Sequence, residues 1–207
     1  NLKVKYHQLN TKYSEDKIVY SPKNDGVKLE LKTSDDDKYL IITERNGSSS
    51  FSKIMYIKTK NSKLYTLIDS KKASYIFLGN NDSVFFFETD LGTSKGKIVS
   101  FDINNPKKIW KDLITENKES IMGYQFAGGT LLPIIAGNKF VIPTQKNLRI
   151  KLKIYNLKGN LEKEIKLPSG GLYFNMNGLN ALSGSRNNSE FLTRFIGITE
   201  PNTIFKA

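Results

Sequence analysis

The chain has no cysteine. It can therefore form no disulfide, present no thiolate nucleophile and build no cysteine-based zinc site. It has one histidine, His7 in KYHQL, so imidazole base chemistry has a single candidate. No Asp or Ser stands at a recognisable spacing from it, and His7 is read as a structural or surface residue. The sequence also lacks a Gly-x-Ser-x-Gly elbow, an HExxH helix, a P-loop and a GxGxxG turn. SDDDK at 34–38 has the acid density of a calcium loop but neither its spacing nor its closing Glu, and reads as a hairpin turn. These absences give the expectation of no catalytic, cofactor or metal residues in this chain. No apolar run approaches the eighteen residues of a membrane span. The longest, FAGGTLLPIIAG at 126–137, is broken by Gly and Pro. The chain opens on Asn rather than Met, and residues 1–8 already read as a strand. It is expected to be cut from a longer protein, cytoplasmic or periplasmic.

What is present is β-forming. Twelve Phe and ten Tyr stand in a chain that is 38% hydrophobic, which excludes general disorder and favours sheets. One pattern recurs. KYLIITER at 38–45, SVFFFETD at 83–90, KFVIPTQK at 139–146 and EFLTRFIG at 190–197 are short apolar runs, each followed after a turn by another strand. Their spacing, about 45 to 55 residues, is that of propeller blades. The fold class expected is all-β: a partial β-propeller of four-stranded antiparallel blades, three full and two incomplete. The blade segments fall at about 1–20, 27–68, 73–114, 120–168 and 172–207. Phe85, Phe86 and Phe87 in a row require a strand covered on both faces. AGGTLLPIIAGN at 127–138 reads as a long apolar connection folded over something. ESIMGYQF and LYFNMNGL read as the first strands of the last two blades, and GSRNNS at 184–189 as a turn. Pro143 predicts a bulge or a local loss of pairing.

The formal net charge is +12. The lysines lie in turns and on alternate strand positions, as in KTKNSKLY at 58–65, without an Arg-rich run. They read as a solvated surface, and no nucleic-acid partner is expected. Trp110, in an edge strand, reads as packing along a blade face. Asn46, Asn81 and Asn187 begin Asn-x-Ser sequons that are taken as surface turns.

Five segments in register carry a resemblance. VKYHQLNTKYSEDKIVY at 4–20 has a strand, a His-containing turn and an SED motif. DDDKYLIITERNGSSSFSKIMYI at 35–57 has an acidic turn and an Arg-x-Gly loop. GKIVSFDINNPKKIWKDLI at 96–114 has an Asp-x-x-x-Pro turn and a Trp-Lys edge strand. LKIYNLKGNLEKEIKLP at 152–168 has a Tyr-x-Leu-x-Gly hairpin ending in Leu-Pro. LSGSRNNSEFLTRFIGITEPNTIF at 182–205 has a Ser-Gly turn, an aromatic strand and a Pro-x-x-Ile-Phe start. Together they resemble the propeller of the prolyl oligopeptidase (prolyl endopeptidase) family of serine peptidases. The sequence departs from that pattern at 127–137, which carries extra residues, and at 92–96, GTSKG.

The resemblance implies part of a seven-bladed ring, from about its third blade to the start of its seventh. It implies an α/β-hydrolase partner domain, absent from this chain, that carries the Ser–Asp–His residues. The propeller of such an enzyme gates the access of short proline-containing peptides. Lys28 and Ser48 align with positions that lie near substrate in the family. A non-catalytic protein-binding propeller is the alternative. Incomplete blades leave open edges, so self-association of the chain is expected.

Overall fold

The computed structural model describes residues 2–47, 51–69, 72–105, 107, 109–115, 118–121, 131–147, 149–167, 171–172, 181–197 and 201–207. They divide into two compact units, residues 1–74 and 75–207. Among the described residues, apart from one 3-10 turn at Tyr13–Glu15, every regular element is a β-strand. No helix among the described residues is long and apolar enough to cross a membrane.

In the first unit β1 (Val4–Tyr6) pairs antiparallel with β2 (Lys17–Tyr20). β3 (Val27–Thr33), β4 (Tyr39–Asn46), β5 (Ser52–Lys58) and β6 (Leu64–Asp69) then form a sheet in chain order, the meander of a propeller blade. The β3–β4 turn is the acidic SDDDK segment. Ser34 Oγ donates to Asp36 at 2.7 Å and accepts from the Tyr39 N–H at 3.0 Å, so side chains close the turn. Ile42, Met55 and Ile57 form one buried cluster of this unit. Val19 and Tyr20 of β2 pack on them, and the Tyr20 hydroxyl donates to Glu44 of β4.

The second unit begins with β7 (Tyr75–Asn81), β8 (Val84–Thr89), β9 (Lys97–Asp102) and β10 (Trp110–Thr115), again in chain order. The side-chain period of two sorts the three consecutive phenylalanines. Phe85 and Phe87 join Phe77, Phe101 and Trp110 in one aromatic cluster, with Phe101 and Trp110 centroids 4.8 Å apart. Phe86 points to the opposite face. All three are buried, as the unbroken apolar run predicts, and Trp110 packs along its own sheet.

The next sheet contains β11 (Ser120–Ile121), β12 (Ile134–Ala136), β13 (Lys139–Lys146), β14 (Arg149–Asn156) and β15 (Leu161–Lys166). Its β13 alternates in the same way. Phe140 and Ile142 face the preceding sheet, with Phe140 edge-on to Phe86 at 5.1 Å and 88°. Val141 turns to the following sheet, together with Leu152 and Ile154 of β14. That following sheet is β16 (Gly171–Leu172), β17 (Leu182–Ser185), β18 (Asn188–Gly197) and β19 (Thr203–Lys206). It meets Val141 through Leu182, Phe191 and Phe195.

Three local expectations are corrected. The first strand of each of the last two sheets is described in two pieces. β11 and β12 pair with opposite ends of β13, and β16 and β17 with opposite ends of β18. Residues 134–136, taken as part of a long connection, are therefore a strand, with Leu131, Ile135 and Ala136 buried. Small residues and a Pro hid this strand, whose pairing depends on β13. Likewise β17 lies where Leu-Ser-Gly-Ser carries almost no β-propensity, and the turn there shrinks to Arg186–Asn187. Residues 122–126 and 173–179 of the two strands expected there lie outside the described residues. Third, of the bulge or local loss of pairing expected at Pro143, no bulge forms toward β14. The β13–β14 register runs unbroken from Lys139↔Asn156 to Lys146↔Arg149, with Pro143 opposite Leu152. Such a ladder tolerates Pro when its missing N–H faces the other edge. That edge is where the described pairing lapses, between the β12 partner Val141 and the β11 partner Thr144.

The β14–β15 hairpin fixes a glycine. Gly159 has φ +89°, and a Cβ there would lie 2.4 Å from the Leu113 carbonyl oxygen of β10. Gly92 also has positive φ, +71°, but nothing stands within 4 Å. Gly159→Ala should cost roughly 2–4 kcal/mol and Gly92→Ala about 1 kcal/mol. Equal shifts in urea midpoint for the two variants would show that the Leu113 contact is not formed.

Candidate functional site

Lys28 sits on β3 and is exposed. Its antiparallel partner is Arg45 of β4, so two cations lie directly opposite each other on one face. Arg45 turns to Glu30, the next residue of β3 on that face, with Nη1 2.7 Å from Oε2. Like charges opposed in this way repel, and the Glu30 carboxylate relieves Arg45. Lys28 and Arg45 thus stand beside one another on the β3–β4 pair. Ser48, three residues after Arg45, lies outside the described residues.

His7 acquires a partner that its sequence neighbourhood does not show. Its Nδ1 lies 2.7 Å from Asp16 Oδ1, and its ring stacks on Tyr13 at 4.9 Å. Lys5 approaches the other Asp16 oxygen at 3.9 Å. This arrangement ties the segment between β1 and β2 together. It supports the structural reading of His7.

A third polar group lies at the seam between the first two sheets of the second unit. Glu119, just before β11, accepts from the Thr144 hydroxyl at 2.7 Å. Lys153 Nζ stands 3.1 Å from one of its oxygens and Lys151 Nζ 3.4 Å from the other. Lys153 is only 7% exposed. Burial opposes the Glu119 charge. The hydrogen bonds from Thr144 and Lys153 and the two ammonium groups outweigh it and hold the carboxyl down to about 2. The readable signal was Lys153 itself, a cation between Leu152 and Ile154 in a strand covered on both faces. Its partner, far away in the chain, was not readable.

Among the described residues, no group of three or more His, Cys, Asp or Glu could hold a metal ion. The polar chemistry on view is ion pairing and surface charge.

The whole chain, residues 1–207, matches the family model described as prolyl oligopeptidase, N-terminal beta-propeller domain. It is 27% identical over 208 residues to a prolyl endopeptidase of Elizabethkingia miricola, covering 99% of this chain and 27% of that protein. It is 28% identical over 214 residues to a prolyl endopeptidase of Elizabethkingia meningoseptica, with the same coverage, 99% and 27%. The chain thus spans about a quarter of the length of these relatives. A solved prolyl endopeptidase superimposes with a TM-score of 0.83 at 21% identity, over 99% of this chain and 28% of that one. Prolyl oligopeptidase B of Galerina marginata, solved with a 25mer macrocyclization substrate, gives 0.81 at 19% identity, over 99% and 27%. The structural likeness establishes the fold as all-β, of the β-propeller class.

The Glu119 cluster generates a pH dependence. Its folded value lies below the ordinary 4.5. The stabilisation is therefore present above about pH 4.5 and is lost as pH falls toward 2. Glu119→Gln should be less stable than the parent by about 1–3 kcal/mol at pH 7. The gap should narrow by pH 3 in denaturant titrations. A gap of unchanged size at pH 3 would mean that Glu119 carries no such charge in the folded chain.

Proposed function

This chain belongs to the family of prolyl oligopeptidase N-terminal β-propeller domains, and from that premise we propose that it gates substrate entry in a prolyl oligopeptidase. The observation that carries the reading is the match of the entire chain, residues 1–207, to that propeller domain. In this reading the propeller is paired with an α/β-hydrolase domain bearing the serine nucleophile and its base. The whole protein is a serine endopeptidase that cleaves after proline in short peptides. The propeller excludes longer chains and supplies no reacting group. The pairing of His7 with Asp16 and Tyr13 fits that division of labour.

Within this proposal Lys28, and Ser48 beyond it, face the substrate. Lys28 beside Arg45 would hold carbonyl or carboxylate groups of a peptide. Such a contact, made equally in ground and transition states, acts on KM rather than kcat.

The test uses the whole protein that contains this chain. It should cleave a short chromogenic peptide after its proline, and a long unstructured polypeptide carrying the same bond at least about tenfold more slowly. Lys28→Ala should raise KM by about two- to fivefold with kcat unchanged. The 207-residue chain alone should give no turnover. Absence of post-proline cleavage by the whole protein would remove the peptidase reading. Equal rates on short and long substrates would remove the gate, and an unchanged KM in Lys28→Ala would remove that residue from the substrate's path.

A further inference from the structure

One ionisable side chain in the second unit is buried without a partner. Glu88 is the fifth residue of β8 and is 5% exposed. Its cross-strand neighbours are Ile76 of β7 and Ile98 of β9. Phe86, two residues earlier on the same face, lies in the apolar cluster that joins this sheet to the β11–β15 sheet. The carboxyl therefore enters the rim of a hydrophobic seam. Among the described residues no hydrogen bond reaches it.

The turn that leads into β9 folds over this carboxyl. A Cβ on Gly96 would stand 3.0 Å from Glu88 Oε1 and 3.3 Å from Ile121 Cβ, so the glycine is wedged between Glu88 and β11. Next to it the Ile121 N–H donates to the Lys95 carbonyl at 2.7 Å, a backbone link between the two sheets. Glu88, Gly96 and that link thus occupy one small joint.

The charges around the joint do not compensate Glu88. β7 carries none. On β9, Lys97 is held by Asp112 at 3.0 Å. Beside β11, Glu119 is engaged by Lys151 and Lys153 of β14. Lys95 lies in the turn and Lys118 precedes Glu119. The charge that acts on Glu88 is Asp90, of like sign, at the end of its own strand.

We propose that this joint is a pH-sensitive catch. With Glu88 protonated the seam closes over it. With Glu88 ionised, the carboxylate draws water to the rim, and the Gly96 turn and β11 part at the Lys95–Ile121 link. The setting of the catch follows from its surroundings. Burial first, and the Asp90 charge second, push the carboxyl up to about 7. A raised acid binds more protons folded than unfolded. Its contribution is complete below the ordinary 4.5 and is lost as pH rises through about 7. The catch is independent of the peptidase reading, because its readout is local opening rather than turnover.

Amide hydrogen exchange on the whole protein, from pH 5.5 to 8.5, tests it, with rates divided by the intrinsic base-catalysed rate. Protection of the Ile121 amide should fall by up to about tenfold per pH unit as pH rises toward about 7, the signature of one linked proton, and level off above it. Protection of β17 amides such as Leu182 should not change. In Glu88→Gln, which keeps the shape without the charge, Ile121 protection should stay flat. Glu88→Leu serves the same purpose should the glutamine variant fail to fold. Three results would overturn the proposal: a flat profile in the unmodified protein, the same fall in a variant lacking the carboxyl, or an equal fall at Leu182, which would make the effect global.

Discussion

Everything in the second unit depends on covering both faces of its middle strands. A strand flanked by two others in its sheet has its backbone satisfied but offers two side-chain faces. β8 and β13 are apolar on both. Phe86 meets Phe140 across one seam, and Val141 meets the β17–β18 pair across the next. Each large side chain withdrawn from water in this way contributes about 1.5–3 kcal/mol before the entropy of ordering. The lysines concentrate where this demand ends. β15, the outer strand of its sheet, is exposed at almost every position. Part of the +12 charge thus lies on outer strands and turns.

The same seam shows what burial does to two glutamates. Glu119 meets a hydroxyl and two ammonium groups, and its acidity rises. Glu88, with only Asp90 acting on it, loses acidity. The sign of the shift is set by the partners, because burial penalises the charge in both cases. The two therefore bracket a range of greatest stability, with losses on the acid side from Glu119 and on the alkaline side from Glu88.

Period-two patterning made much of this legible. The strands of the two complete four-stranded sheets, the burial of Phe85 to Phe87 and the closing of SDDDK by side chains all follow from local sequence. What was not legible depends on partners distant in the chain. β12 and β17 are strands because β13 and β18 offer free edges, not because Ile-Ile-Ala or Leu-Ser-Gly-Ser prefers to be extended. Pro143 looked disruptive because sequence does not say toward which edge its missing N–H points. The candidate site was legible only in part. Lys28 stands exposed where a surface strand residue should, but its opposition to Arg45 required the register. His7 found Asp16, and Glu119 found Lys153, through tertiary folding, which no spacing rule conveys.

The central claim is that apolar seams between consecutive sheets hold the second unit together. A double-mutant cycle between Phe86→Leu and Phe140→Leu, read by denaturant unfolding, measures one seam directly. Leucine keeps most of the volume, so both single variants should fold. The account predicts a coupling of about 0.5–1.5 kcal/mol between the two sites. Costs that add within about 0.3 kcal/mol would contradict it, because the two rings would then not share an interface.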